Sequence, residues 1–334
     1  MTTAWSDRMS KAGGRADAGP RGDGGGTVRP AGTITVDGEH AGRRLDKFLR
    51  SRHKGVPAGL LFRLIRQGRL RVNGARTAQD YRLREGDVID VPELRVDGDR
   101  VSTPGIPSSL RRQLRDVVLH EDDDLLVVDK PAGIPVHRGT GARAGVIEAL
   151  RDLRPDLPEL ELGHRLDRDT SGVLALAKTP SMLRYLHELL RDREDEIERR
   201  YMAVVSGRWP AGLTVLDAPL RRRDDGRVVV DPAGRRARTR VSVRRRLGSR
   251  ASVLDVSLAT GRKHQIRVHL RHAGHPIAGD DRYGDPAFNA RVAAAGGTGL
   301  HLHAAALVIP RPGEPDLAVT APMPRRWRPV LGGL

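Results

Sequence analysis

A stretch dense in ionisable side chains lies between two apolar runs: Gly163-His164-Arg165-Leu166-Asp167-Arg168-Asp169-Thr170-Ser171-Gly172. A carboxylate flanked by Arg165 and Arg168 is held ionised near neutral pH, because its charged form gains from each neighbouring cation. Such a group serves as nucleophile or as base. The same residues also describe a plain turn, with Asp169 or Thr170 capping backbone amides and the arginines neutralising the acids. His264, His269, His272 and His275, with His301 and His303, raise the question of a metal site. Their spacings are not those of His-Glu-x-x-His and no acid sits among the first four, so polar helix and strand positions are expected instead. Lys263, Arg267 and Arg271 step by four along one helix face, as a solvated basic stripe does. Neither a G-x-x-x-x-G-K-[ST] loop nor a convincing G-x-G-x-x-G is present, so no nucleotide cofactor is expected. With no cysteine, the chain has no disulfide, thiolate nucleophile or Cys-ligated metal.

These residues need a scaffold. A larger domain is expected over residues 113–334, with strands near 125–128, 173–177, 201–205, 227–230, 252–258 and 302–308. Helices fit 146–153, 181–192 and 262–272; in the second, Met182, Leu183, Leu186, Leu189 and Leu190 form the apolar stripe. Strands outnumber helices, and several alternate as half-buried antiparallel strands do. The fold class is therefore α+β, with a mostly antiparallel sheet in the larger domain.

A small unit is expected over residues 33–94. Leu45, Phe48 and Leu49 share one face of a short helix, which Gly55-Val56-Pro57 breaks. Leu60, Leu61, Leu64 and Ile65 make the stripe of a second helix, with Gly68 as its stop. A strand through Leu70 and Val72 ends at the hairpin turn Asn73-Gly74. Strands around 81–83 and 88–91, joined at Gly86-Asp87, close the unit. Its polar face carries Arg43, Arg44, Lys47, Arg50, Arg63, Arg66, Arg69 and Arg71, a density without matching acids that suits phosphate. Residues 1–31, rich in Gly, Ala, Asp and Arg, predict a disordered tail. Residues 95–112, with Pro104, Gly105 and Pro107, predict a linker.

The chain has 334 residues, 59 Lys and Arg against 42 Asp and Glu, and a net charge of +17. The length fits two domains, and the basic balance points to a polyanion, nucleic acid first. Six of the basic residues are lysine, a skew that coding bias also produces. Aromatics make up 3%, too few for a base-stacking sheet, so recognition through phosphates and RNA shape is expected. No apolar run approaches a membrane span and no signal peptide is visible, so the expected location is the cytoplasm.

Residues 163–172 resemble the signature of the RluA-type pseudouridine synthases, and Asp167 falls on that family's catalytic aspartate. Residues 120–131, Arg199-Arg200-Tyr201, residues 260–269, residues 274–280 and Leu302-His303-Ala304-Ala305 resemble further family motifs in the same order. Residues 33–94 resemble the S4 RNA-binding domain. Residues 145–148 and 280–285 are most similar to the C type of large-subunit rRNA pseudouridine synthases. Departures are Asp129 for Asn, Arg199 for Lys and Lys263 for Thr. The resemblance implies isomerisation of uridines in large-subunit rRNA, by base flipping, without cofactor or metal. Asp167 would act on the ribose, attacking C1′ or taking the C2′ proton; Arg267 would hold it charged; Tyr201 would stack on the uracil; Arg165 would support the loop. Arg44, Lys47, Arg63, Arg66, Arg69 and Arg71 would meet RNA. The protein would be a monomer. A non-catalytic rRNA-binding or assembly protein, another RNA substrate, and glycosidic hydrolysis by the Asp167/Asp169 pair are the rival readings.

Overall fold

A computed structural model describes residues 27–53, 56, 58–96, 105–138 and 144–333. Residues 1–26 of the expected tail and 97–104 of the expected linker lie outside the described residues, as do Gly55 and Pro57 of the helix break. The chain divides into two compact units at about residue 101.

The smaller unit contains β1 (Thr27–Arg29), β2 (Gly32–Thr35), α1 (Leu45–Arg52), α2 (Ala58–Arg66), β3 (Arg71–Val72), β4 (Val88–Val91) and β5 (Leu94–Val96). Leu45, Phe48 and Leu49 of α1 and Leu61, Leu64 and Ile65 of α2 are buried against Leu70, Leu83 and Ile89. Gly68 ends α2 at φ 68°, and the Arg69 amide reaches back to the Leu64 carbonyl at 3.0 Å, a closing bond that needs the left-handed residue between. Asn73 and Gly74, at φ 51° and 72°, make the hairpin turn. Three differences from the sequence reading stand out. Residues 81–83 form no strand, only a bridge between Arg44 and Arg82. Thr27–Arg29, inside the expected tail, pairs with Leu94–Val96 at the edge of the expected linker. Helix α3 (Ser108–Gln113) occupies the linker's far end, with Leu110 buried.

The larger unit continues with β6 (Val118–Glu121), β7 (Leu125–Lys130), α4 (Val146–Leu153), β8 (Glu161–Leu162), β9 (Ser171–Ala177), α5 (Pro180–Asp192), β10 (Glu198–Ser206), β11 (Val215–Asp217), β12 (Leu220–Arg222), β13 (Val228–Val230), β14 (Arg238–Leu247), β15 (Ala251–Leu258), α6 (Gln265–His272), α7 (Pro286–Ala294), β16 (Leu302–Arg311), β17 (Glu314–Thr320) and α8 (Arg328–Gly333). The main sheet runs β11-β14-β15-β10-β16-β9-β7-β6, with β17 on β16 and β8 on β9. Every pairing in it is antiparallel except β9 with β16. Leu126, Leu174, Tyr201 and Ala203 pack on one face with α4 and with Ile266 and Leu270 of α6. Leu125, Val127, Val173 and Ala175 pack on the other with α5. Because both faces are covered, β9 is buried throughout and β7 nearly so, without the expected alternation. Among the described residues no helix is long and apolar enough to cross a membrane.

The parallel pair demands a glycine. Gly172 has φ 108°, and a Cβ there would collide with the Ala304 carbonyl opposite. Gly172→Ala should therefore cost about 3 kcal/mol from backbone strain and overpacking together, or roughly 10 °C in melting temperature at this size. Calorimetry on the variant checks this; an unchanged melting temperature would show that the two strands do not approach so closely.

Candidate active site

Asp167 lies in the loop between β8 and β9, and that loop is pinned from several sides. The Gly163 amide donates to the Ala175 carbonyl at 3.0 Å, and the Ala175 amide donates to His164 Nε2 at 3.0 Å. Thr170 closes a turn onto the Asp167 carbonyl at 3.2 Å. The Gly133 amide and the Lys130 ammonium both donate to the Arg168 carbonyl at 2.9 Å. Lys130 is fully buried, and its other two bonds go to the carbonyls of Pro131 and Ile134, each 2.9 Å. Three carbonyl acceptors use all three ammonium protons. Burial pushes Lys130 down to about 7, against the pull of Asp169, Asp167 and Asp129.

The partner of Asp167 comes from α6. Arg267 NH1 stands 3.3 Å from Asp167 Oδ2, while Nε and NH2 of the same guanidinium grip Asp280 at 2.8 Å each. Arg267 is 7% exposed and Asp280 1%; Lys263 and Arg271, which share its helical stepping, are exposed. So Arg267 is not part of a solvated stripe. Burial opposes its charge, but Asp280 and Asp167 outweigh burial and raise it above the ordinary arginine value. Burial likewise opposes the Asp280 carboxylate, and Arg267 with the amides of Tyr283 and Arg282 holds it below the usual range. The start of α6 is seated by Gln265, whose Oε1 accepts from Thr260 Oγ1 at 2.8 Å and from the Arg262 amide at 3.0 Å.

Tyr201 sits on β10, on the sheet face that α6 covers, and is nearly buried. Burial pushes its phenol up to about 12; Arg199 works against this and Asp167 adds to it.

The structure thus brings Asp167 and Arg267 together, with Tyr201 on the sheet face that the helix of Arg267 covers. It does not make Arg165 or Arg168 the partners of Asp167. Arg168 turns to Asp169 at 3.1 Å, and Arg165 is exposed with no acid partner among the described residues. Successive residues of a turn point apart, so nearness in sequence gave the wrong cations. The sequence reading assigned no role to Asp280 or Lys130, although both lie in motifs it quoted. On the smaller unit Lys47, Arg63, Arg66 and Arg69 are exposed. Arg44 is tied to Asp46 at 2.9 Å, an acid match the sequence reading did not count, and Arg71 donates to the Gly68 and Gly74 carbonyls.

Four of the other histidines bind local partners, and His272 is exposed. His269 binds Thr239 Oγ1 and the Ala218 carbonyl, His275 the Ser206 carbonyl, His301 the Gly299 carbonyl and His303 Ser171 Oγ. Among the described residues no three His, Asp or Glu side chains converge as metal ligands.

A family model for RNA pseudouridylate synthase matches residues 124–272, and one for the S4 domain matches residues 43–89. The chain is 42% identical over 306 residues to the ribosomal large subunit pseudouridine synthase C of Haemophilus ducreyi, across 90% of this chain and 95% of that one. It is 44% identical over 299 residues to the protein of that name from Escherichia coli, across 87% and 92%. The solved structure of human RNA pseudouridylate synthase domain containing 4 matches with a TM-score of 0.55 and 28% identity, over 67% of this chain and 95% of that one.

Buried histidines give the larger unit a pH dependence. Burial holds both His301 and His303 down to about 4, against 6.5 for the ordinary side chain, and Arg326 adds to the shift. Between those values the unfolded chain binds protons that the folded chain refuses, so stability falls as pH falls from 6.5 towards 4. Each contributes at most about 1.4 kcal/mol per pH unit. Melting temperatures from pH 7 to 4.5 should drop steadily, with a shallower slope in His301→Gln. A flat profile would mean that these rings are not held neutral.

Proposed function

The chain belongs to the RNA pseudouridine synthases, and we propose that it isomerises specific uridines of large-subunit ribosomal RNA to pseudouridine. The observation that carries the mechanism is the side-by-side placement of Asp167 and a buried Arg267 already locked by Asp280. The names of the relatives support the choice of RNA. On this reading the protein acts as a monomer in the cytoplasm.

The target uridine leaves its stack to reach a carboxylate that is itself 27% exposed, at a cost of a few kcal/mol. The N1–C1′ bond breaks, the uracil turns, and C5 bonds to C1′. C5 loses its proton and N1 gains one, so the reaction balances without a co-reactant. Asp167 acts on the ribose, as nucleophile at C1′ or as base at C2′. Arg267 pairs with it and aims it. Tyr201 offers its ring to the uracil. Arg165, exposed on the same loop, meets RNA or steadies the loop. Arg44, Lys47, Arg63, Arg66, Arg69 and Arg71 bind phosphate from the smaller unit.

Asp167→Asn removes the charge and keeps the volume. It should lower pseudouridine formation at least about 1,000-fold, roughly 4 kcal/mol of barrier, with RNA affinity within about twofold. Tyr201→Phe should lose far less than Tyr201→Ala. Single-turnover conversion of an rRNA fragment measures both, and assay of released uracil separates isomerisation from hydrolysis. Turnover by Asp167→Asn within about tenfold of the native rate would remove Asp167 from the chemistry.

Each phosphate contact releases counterions, so a basic face leaves a mark on salt dependence. The double substitution Arg63→Glu and Arg66→Glu should weaken rRNA binding and flatten the slope of log K against log salt by about one to two. Filter binding from 50 to 300 mM salt, about the range where such slopes are read, decides it. An unchanged slope would make these arginines a solvated surface.

A further inference from the structure

His264, to which the sequence reading gave no catalytic role, stands at the oxygen of Asp167 that Arg267 does not touch, and Tyr283, likewise given none, stands behind it. His264 Nε2 is 3.8 Å from Asp167 Oδ1. On the other side of the ring, His264 Nδ1 is 2.8 Å from the Tyr283 hydroxyl, which in turn accepts from the Val228 amide at 3.0 Å. The backbone N–H of Val228 only donates, so it occupies a lone pair of the phenol oxygen and leaves the phenol proton for Nδ1. A ring that accepts at Nδ1 carries its own proton on Nε2, facing the carboxylate. His264 is also one of two non-glycine residues described in the left-handed region, at φ 56° and ψ 18°. Such backbone is sparsely populated by β-carbon residues, and its retention calls for a reason.

The charged groups around the ring are Asp167, Arg267, Lys263 and Arg282. Burial pushes His264 down to about 4; Asp167 opposes the shift and the three cations reinforce it. The ring is neutral at pH 7, so its tautomer decides what it presents.

Given the activity proposed above, on which this rests, we propose that His264 is a positioning residue that donates its Nε2–H to Asp167 Oδ1, and that Tyr283 sets this by donating to Nδ1. The separation of 3.8 Å is longer than a hydrogen bond. It closes when the ribose is bound, as catalytic hydrogen bonds commonly tighten in the complex. With Arg267 on one oxygen and His264 on the other, the plane of the carboxylate is fixed against the ribose. Asp280 makes the two supports one assembly: its Oδ1 accepts from the Tyr283 amide at 2.9 Å while both its oxygens grip Arg267. The Arg267 guanidinium also lies over the Tyr283 ring, 5.1 Å from its centre.

The two readings of His264, backbone strain and donation, predict opposite orders for two variants. Asparagine is at ease in the left-handed region, and its amide reaches only the Nδ1 position. Glutamine is less at ease there, but its amide reaches the Nε2 position. Donation predicts that His264→Gln loses about threefold in single-turnover rate and His264→Asn about 100-fold, the scale of a misplaced catalytic group, with RNA affinity unmoved. Equal losses, or a faster Asn variant, would overturn the proposal. The tautomer is read directly by 15N NMR of the unsubstituted protein at pH 7, independently of activity. An Nε2-protonated neutral ring that becomes a mixture in Tyr283→Phe is expected; an Nδ1-protonated ring in the native protein would overturn the proposal. A native protein that forms no pseudouridine on any rRNA would instead overturn the activity, and the tautomer result would stand apart from it.

Discussion

A guanidinium taken out of water must be matched, and in this chain the match is Asp280. Removing the two ions from water costs several kcal/mol each. The cost is offset by two parallel bonds of 2.8 Å and by the Arg282 and Tyr283 amides on the same carboxylate. Buried pairs of this kind add little net stability; their value here is direction. With Nε and NH2 committed, NH1 has one place left to point, and Asp167 Oδ2 is there. Without Asp280, Arg267 would be a buried cation with a single acid in reach.

That constraint works only because the sheet delivers residues 100 apart in sequence to one spot. The Asp167 loop leads directly into β9, and Tyr201 rides on β10. Both strands flank β16, so their relative height is set by backbone registers: Ala304 faces Gly172 on one side and Tyr201 on the other. Helix α6 then packs Ile266 and Leu270 onto the same face, which fixes the height of Arg267 between them. Gly172 is the hinge of the arrangement. It lets β9 approach β16 closely at the point where the catalytic loop ends, and Ser171 beside it is held by His303 at 2.9 Å.

Much of this could be read from side-chain pattern. The stripe of Leu45, Phe48 and Leu49 is buried as expected, helix 146–153 has the observed bounds, and Asp167, Arg267 and Tyr201 were named from motifs. The failures have physical causes. Strand β14 alternates over its first half, with Thr239 and Val241 inward, but the run Arg244-Arg245-Arg246, where its pairing with β15 shifts register, breaks the pattern before Leu247. Strand β17 begins with Glu314 and Asp316, and its pairing to β16 is invisible locally. The helix expected from residue 262 starts at Gln265, because His264 takes the left-handed conformation before it. Nothing in the spacing of Lys263, Arg267 and Arg271 says which one is buried. Only the distant acid decides it.

The distribution of burial explains why the chain divides its labour. An isomerisation of this kind uses no co-reactant, so in the proposed mechanism the barrier is lowered by the protein's own groups, already in place when charge develops at the ribose. Donors fixed in advance need no reorganisation at that moment, and in a dry site they act at full strength. Arg267, Asp280 and Lys130 are all buried, while the Asp167 side chain keeps 27% of its surface open. That is the pattern of a rigid support around one accessible carboxylate, the group proposed to react. The exposed Lys47, Arg63, Arg66 and Arg69 have the opposite character. They are long, solvated and able to follow a phosphate backbone, but too mobile to aim a carboxylate. Affinity and aim place contrary demands on a cation, and under the proposed function separate sets of basic residues on separate units would meet them.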